Sequence, residues 1–230
     1  MSKTKTLFEQ EAKEFDYIIP LLIPFYNEIY EILVEAIPFS GENSLKILDI
    51  GCGTGTLAKK MKGNFPPAQI TCLDFANNMI DIAKEKLSEH QDIKFVTGDF
   101  NELKIEDKYD VVVSCFALHH IQSDREKIKT YRNIYKILND GGIFITADIV
   151  LGVNNFTKHL YLKKWKDFIR RSFPKNVIEE ELLPKYQAGD NPVELFNHLK
   201  WLEKSGFMDV ETIWKYFNFA VWSGRKGVNL

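Results

Sequence analysis

The run Ile47-Leu48-Asp49-Ile50-Gly51-Cys52-Gly53-Thr54-Gly55 decides how this chain folds. Its first half is apolar and β-branched, the composition of a short strand buried inside a parallel sheet. The strand ends beside an acid and runs into glycines at alternate positions. These let the backbone turn tightly and leave open the space that side chains would fill. A strand stopping in such a loop offers its carboxyl end to a nucleoside-bearing ligand, so the functional question is which one.

Outward from this run, strands are expected at 45–50, 69–74, 93–96, 109–115 and 143–149, with helical stretches between most of them. Leu57 and Met61 share one face. Met79, Ile82, Ala83 and Leu87 form a second stripe, and Ile128, Tyr131, Tyr135 and Leu138 a third, ended by Gly141-Gly142. Such alternation predicts an α/β fold, a mostly parallel sheet with helices on both faces. Upstream, 12–38 has helical spacing that Pro20 and Pro24 split into two short helices, with Tyr17 and Tyr26 near the break. Downstream, 155–187 reads as two helices without a strand. Asn191-Pro192-Val193-Glu194 then reads as a helix start capped by Asn191, with Leu195, Leu199 and Leu202 on one side and Gly206 at the end. Met208–Tyr216 and Phe217–Ser223 read as strands so close in sequence that they pair antiparallel.

A chain of 230 residues, 45% hydrophobic, is ample for one core. The net charge of −2 argues against a dedicated nucleic-acid binder and leaves a homodimer open. Cys52, Cys72 and Cys115 lie in or beside apolar runs without metal-ligand spacing; they read as buried thiols, and no metal is expected. Met1–Lys5 lacks a signal peptide's apolar core, and no apolar run approaches the ~20 residues that span a bilayer. The expectation is a soluble, cytoplasmic protein without membrane contact.

Gly53-Thr54-Gly55-Thr56-Leu57-Ala58 fits the dinucleotide fingerprint G-x-G-x-x-G/A, and Asp74 stands where that fingerprint expects a ribose-binding acid. A nicotinamide enzyme is therefore a competitor, as is a cofactor-binding protein without catalysis. A P-loop is excluded, because no G-x-x-x-x-G-K-S/T occurs.

Asp49 ahead of the glycines separates the candidates. Asp49-x-Gly51-x-Gly53-x-Gly55 resembles the first motif of class I S-adenosylmethionine-dependent methyltransferases. The resemblance continues through Leu73-Asp74-Phe75-Ala76-Asn77-Asn78-Met79-Ile80, Gly98-Asp99-Phe100, Val112–Ile121 and Leu138–Phe144, in order over about 45–150. It implies a Rossmann-like, doubly wound, mostly parallel seven-stranded sheet with an antiparallel C-terminal strand. It divides the chain into an N-terminal helical lid (1–44), an S-adenosylmethionine-binding core (45–150), a helical insertion capping the acceptor (151–190), and a C-terminal helix and hairpin completing the sheet (191–230). The implied reaction carries a methyl group to an N or O nucleophile of a small-molecule acceptor and releases S-adenosylhomocysteine. By the same resemblance Asp49, Gly51, Gly53 and Gly55 flank the methionine end, Asp74 takes the ribose, and Asp99 the adenine amino group, with Phe75 or Phe100 on the ring. Met79, Ser114 and Tyr26 complete the cofactor set.

On the acceptor side, a nucleophile carrying a proton needs a base near neutral pH. His119 follows the fourth expected strand and is read as base or orienter; packing, or capping a helix, is the plainer alternative. Asp148, ending the fifth strand, would bind an amine or assist proton removal, or be a solvated loop acid. Tyr17, His120, Trp165, Arg170, Arg171, Tyr216 and Phe219 are the candidate acceptor-pocket residues, although Lys158–Arg171 reads first as a solvated basic face.

A narrower resemblance joins Ile23-Pro24-Phe25-Tyr26, the insertion with Arg170 and Arg171, and Tyr216-Phe217-Asn218-Phe219-Ala220 to bacterial carboxy-S-adenosylmethionine synthases of tRNA modification. In those enzymes a tyrosine matching Tyr26 and an insertion arginine hold the extra carboxylate. The ordinary methyltransferase glycine loop and His119-His120 depart from that pattern.

Overall fold

A computed structural model describes residues 15–228; Met1–Lys5 and the rest of 1–14 lie outside the described residues. Seven strands form one sheet in the order β3-β2-β1-β4-β5-β7-β6. They are β1 (Lys46–Ile50), β2 (Gln69–Asp74), β3 (Ile93–Thr97), β4 (Tyr109–Cys115), β5 (Leu138–Ile149), β6 (Met208–Tyr216) and β7 (Phe219–Arg225). All neighbours pair parallel except β7, which runs antiparallel to both β5 and β6. The chain steps outward from β1 to β3 and then returns to place β4 against β1. This reversal opens a crevice at the carboxyl ends of β1 and β4, the place where open α/β sheets bind ligands.

Both faces of the sheet are covered. Ile47, Val111, Val113, Ile145 and Val221 point to one face, where α2 (Tyr26–Glu35) and α3 (Thr56–Asn64) bury Ile29, Leu33, Leu57 and Met61. Leu48, Val112, Phe144 and Trp222, one residue out of phase, point to the other. There α5 (Asp124–Ile137) and α9 (Leu195–Lys204) bury Tyr131, Ile134 and Leu202. The period-two alternation of a strand thus fills two cores from one run of apolar residues. Each fully buried Leu or Val contributes about 1.5–3 kcal/mol relative to exposure.

Between β2 and β3 lies α4 (Asn77–Lys86). The N-terminal α1 (Phe15–Leu22) meets α2 at 94°. Pro20 is tolerated inside α1, and the bend falls at Ile23–Phe25, where Phe25 takes a left-handed φ of 58°. No single helix among the described residues is long and apolar enough to cross a membrane.

The insertion is α6 (Asn155–Ile169), α7 (Lys175–Val177), a π turn at Ile178–Leu182 and α8 (Leu183–Gly189). Asn154 and Thr157 close a capping box at the start of α6, which explains its sharp onset.

Three local readings are corrected. Gly141-Gly142 does not end α5: the helix stops at Ile137, Leu138 already pairs with Tyr109, and the glycines lie in an irregularity inside β5. Asn191 does not cap α9, which begins at Leu195 behind Glu194; the Asn191 amide instead donates to the carbonyls of Ile121 and Gln122. The last strand begins at Phe219, because Phe217 turns with φ 48°.

Candidate functional site

The site starts at Asp49. In register it faces Cys72 on β2 and Val113 on β4, so neighbouring strands wall it on both sides. It is 1% exposed, and neither carboxylate oxygen has a hydrogen-bond partner among the described residues. Burial, then the charge of Asp74, pushes its carboxyl up to about 8. A buried acid without a partner is costly. A cationic group placed beside it would remove that cost.

The loop after Asp49 turns on glycines. At Gly51, φ is +70° and an added Cβ would stand 2.3 Å from Ala117 Cβ, so the residue must be bare. At Gly53, φ is +53° and an added Cβ would meet nothing within 4 Å. The space beside Gly53 is open, which is where the backbone can approach a ligand. Gly55, the third of the set, sits at the cap position of α3. Asp74 Oδ2 accepts the Gly53 N–H at 2.9 Å and Oδ1 the Ala76 N–H at 2.9 Å. A carboxylate has about four acceptor positions, so ribose hydroxyls can be taken without breaking either bond.

Phe75 is half-buried beside Ala76 and Met79, whereas Phe100 is buried with Leu73 and Tyr109 in the core. Asp99 is exposed and accepts the Asn101 N–H at 2.7 Å. Ser114 is fully buried and donates to the Ile50 carbonyl at 2.8 Å; it fastens β4 to β1 rather than standing in the crevice. Tyr26 is buried with its hydroxyl on Tyr30 at 3.2 Å, and burial pushes its phenol up to about 12.

On the expected acceptor side β4 ends at Cys115 and passes through Phe116, held at φ 52°, into a 3-10 turn, Leu118–His120. His119 is 6% exposed. Its Nδ1 lies 2.5 Å from Asp148 Oδ1, and its backbone N–H donates to Asp148 Oδ2 at 2.9 Å. Burial acts to lower the His119 pKa, but the charge and hydrogen bond of Asp148, with Asp190 behind them, raise it on balance. Asp148 is held low by the same imidazole against the opposing effect of burial. With Nδ1 committed to Asp148, Nε2 is the ring nitrogen that Asp148 leaves unengaged. Buried Lys127 brackets the turn by donating to the carbonyls of Leu118 and Ile121.

Sequence reasoning missed Asp190. It follows α8, yet its Oδ1 lies 3.6 Å from His119 Nε2 and 3.2 Å from His120 Nδ1. The neighbouring Asn191 N–H donates to the His119 carbonyl at 2.7 Å, which fixes the end of the insertion against the turn. Also missed is a latch outside the glycine loop. Lys86 Nζ holds Asp16 Oδ2 at 2.5 Å and the hydroxyls of Thr54 and Thr56 at 2.9 Å.

The expected acceptor residues divide. Trp165 donates to the Leu22 carbonyl at 2.8 Å, and Tyr216 sets its ring against Phe25 at 4.8 Å, so the insertion and the hairpin each reach the α1–α2 bend. Phe219 is buried core, edge-on to Phe116, and does not wall a pocket. Tyr17 is 78% exposed. Arg170 is exposed and pairs with Asp167 at 3.2 Å, and exposed Arg171 lies over the Phe168 ring; neither is brought to the site.

The family described as "Methyltransferase domain" matches residues 47–142. A carboxy-S-adenosyl-L-methionine synthase of Staphylococcus epidermidis is 30% identical over 217 residues, 92% of either chain. A malonyl-[acyl-carrier protein] O-methyltransferase of Bacillus anthracis is 29% identical over 142 residues, 62% of this chain and 49% of its own. Among solved structures, Haemonchus contortus phosphoethanolamine N-methyltransferase 2 with S-adenosyl-L-methionine superposes at TM-score 0.71 and 16% identity, covering 99% of this chain and 60% of that one. N-methyltransferase NodS of Bradyrhizobium japonicum superposes at TM-score 0.67 and 14% identity, covering 98% and 99%. The chain belongs to the class I S-adenosylmethionine-dependent methyltransferases and resembles the carboxy-S-adenosyl-L-methionine synthases among them. It is an enzyme whose cofactor is S-adenosylmethionine, so the nicotinamide and non-catalytic alternatives fall away. Orphaned Asp49 and the open face of Gly53 fit that cofactor's ammonium group and its need for close backbone approach.

Proposed function

We propose that the enzyme methylates an N or O nucleophile of a small-molecule acceptor, with His119 as the base and Asp148 as the group that orients it. The observation carrying this reading is the 2.5 Å contact between His119 Nδ1 and Asp148 Oδ1 at the carboxyl end of the sheet. S-adenosylmethionine supplies a sulfonium methyl open to in-line attack. Asp49 holds its ammonium group, Asp74 the ribose, and Asp99 with Phe75 the adenine. His119 Nε2 takes the acceptor's proton, and the imidazolium so formed lies between Asp148 and Asp190, whose charges stabilise it. Two acids beside the acceptor favour an amine or hydroxyl over an anion. Free thiols at all three cysteines accord with action in a reducing cytoplasm.

The relatedness to a carboxy-S-adenosyl-L-methionine synthase over 92% of both chains favours a second reading, a carboxylated cofactor. Against it stand the exposed Arg170 and Arg171, and the acids Asp148 and Asp190 where an added carboxylate would be repelled. Mass spectrometry of cofactor co-purified with the protein, followed by S-adenosylhomocysteine release across a panel of amines and hydroxyls, is the test. Recovery of the carboxylated cofactor alone, with no acceptor methylated, rejects the first reading.

A further inference from the structure

We infer that His119, His120 and Asp190 form a binding site for a divalent transition-metal cation. Each offers one ligand atom, and the three atoms lie within 4.8 Å of one another. Two of the separations, Asp190 Oδ1 to His119 Nε2 at 3.6 Å and to His120 Nδ1 at 3.2 Å, are already close to the donor–donor edge of a tetrahedral site. With metal–ligand bonds of about 2.0–2.1 Å that edge is about 3.3–3.4 Å. The imidazole rings are tilted by 51° with centroids 3.9 Å apart, and the third edge lies within the same 4.8 Å.

The frame around these atoms is built rather than accidental. The Asn191 N–H on the His119 carbonyl and the Asn191 amide on Ile121 and Gln122 hold the two contributing segments together. Asp148 occupies Nδ1 of His119, which fixes the tautomer and directs the Nε2 lone pair at the cluster. A carboxylate behind a ligating histidine is the usual outer support of such a metal. The ligand side chains are only 6%, 17% and 14% exposed, so competing water is limited. Two imidazoles and one carboxylate select zinc and its neighbours over magnesium or calcium, which require more oxygens. Three protein ligands leave a fourth position open.

The consequence rests on the base reading above. The ligand atom of His119 is the same Nε2 that takes the acceptor's proton, so cation and acceptor exclude each other, and the cation switches the acceptor side off.

The test uses the full chain freed of metal by chelator. Cobalt(II) titration is expected to produce the visible bands of a four-coordinate site, saturating at one cation and displaced by zinc. Millimolar magnesium is expected to leave the cobalt bands unchanged. Asp190→Asn and His120→Ala are each expected to weaken binding at least about tenfold, and Asp148→Asn, acting through His119, about 10–100-fold. Zinc is expected to raise the acceptor's KM without changing S-adenosylhomocysteine affinity. Saturable cobalt binding retained in the His120→Ala/Asp190→Asn double variant would place the cation elsewhere, at the cysteines for example, and overturn the proposal. So would the absence of saturable binding. S-adenosylhomocysteine calorimetry on the same samples reports folding and the donor site, so a failure there is separate from a failure of the cation site.

Discussion

Asp148 grips His119 twice, once at the ring nitrogen and once at the backbone N–H, so a single carboxylate sets both where the imidazole is and which nitrogen it offers. If His119 is the base proposed above, removing the imidazole strips the acceptor side of it while leaving the donor side whole. His119→Ala is expected to lower kcat about 10²–10⁴-fold. Its S-adenosylhomocysteine affinity by calorimetry should match the parent. Equal turnover would assign His119 to packing alone.

Asp49 predicts a pH dependence with a definite sign. Its carboxyl is raised by burial to about 8 in the folded, ligand-free protein, against 3.8 ordinarily. The folded state therefore binds this proton more tightly than the unfolded one, so its contribution to stability is present at low pH and declines as pH rises from about 4 through 8. A cationic ligand needs the ionised acid, so cofactor binding in that window releases a proton and tightens toward pH 8. Thermal melting of the free protein and of Asp49→Asn across this range checks the first statement. Calorimetry in buffers of different ionisation enthalpy checks the second. Identical pH dependence in both proteins would contradict it.

Gly51 and Gly53 are expected to fail differently. Gly51→Ala drives a methyl into Ala117 at positive φ and should cost well over 1–2 kcal/mol, the ordinary penalty of a left-handed residue, as read from denaturant midpoints. Gly53→Ala carries about that ordinary penalty alone, since its Cβ meets nothing, yet should lose most of its S-adenosylhomocysteine affinity. Equal destabilisation of the two variants would refute the division.

The Asp16–Lys86 latch is partly exposed, so Asp16→Ala should change stability by less than about 1 kcal/mol. Hydrogen exchange at Thr54 and Thr56 should nonetheless quicken, because their hydroxyls lose an anchor. Unchanged exchange would reduce the latch to a surface contact.

The donor half was legible in the sequence because its signals are local: Asp49 and the glycines lie in one run, and the strands announce themselves by apolar composition. The acceptor half is assembled across distance. Asp190 lies at the far end of an insertion that carries no periodic link to His119, and only the folded chain joins them. Arg170 and Arg171 were legible as part of a solvated basic face, and at the surface Asp167 and the Phe168 ring engage them. Gly141-Gly142 misled because glycine serves a helix end and a strand irregularity equally well.

The contact between Gly51 and Ala117 joins the two halves at their root, while Asp190 arrives on a separate segment. The glycine cradle is thus packed without help from the stretch between β5 and α9, so a change in that stretch, Asp190 included, leaves the Gly51–Ala117 packing standing.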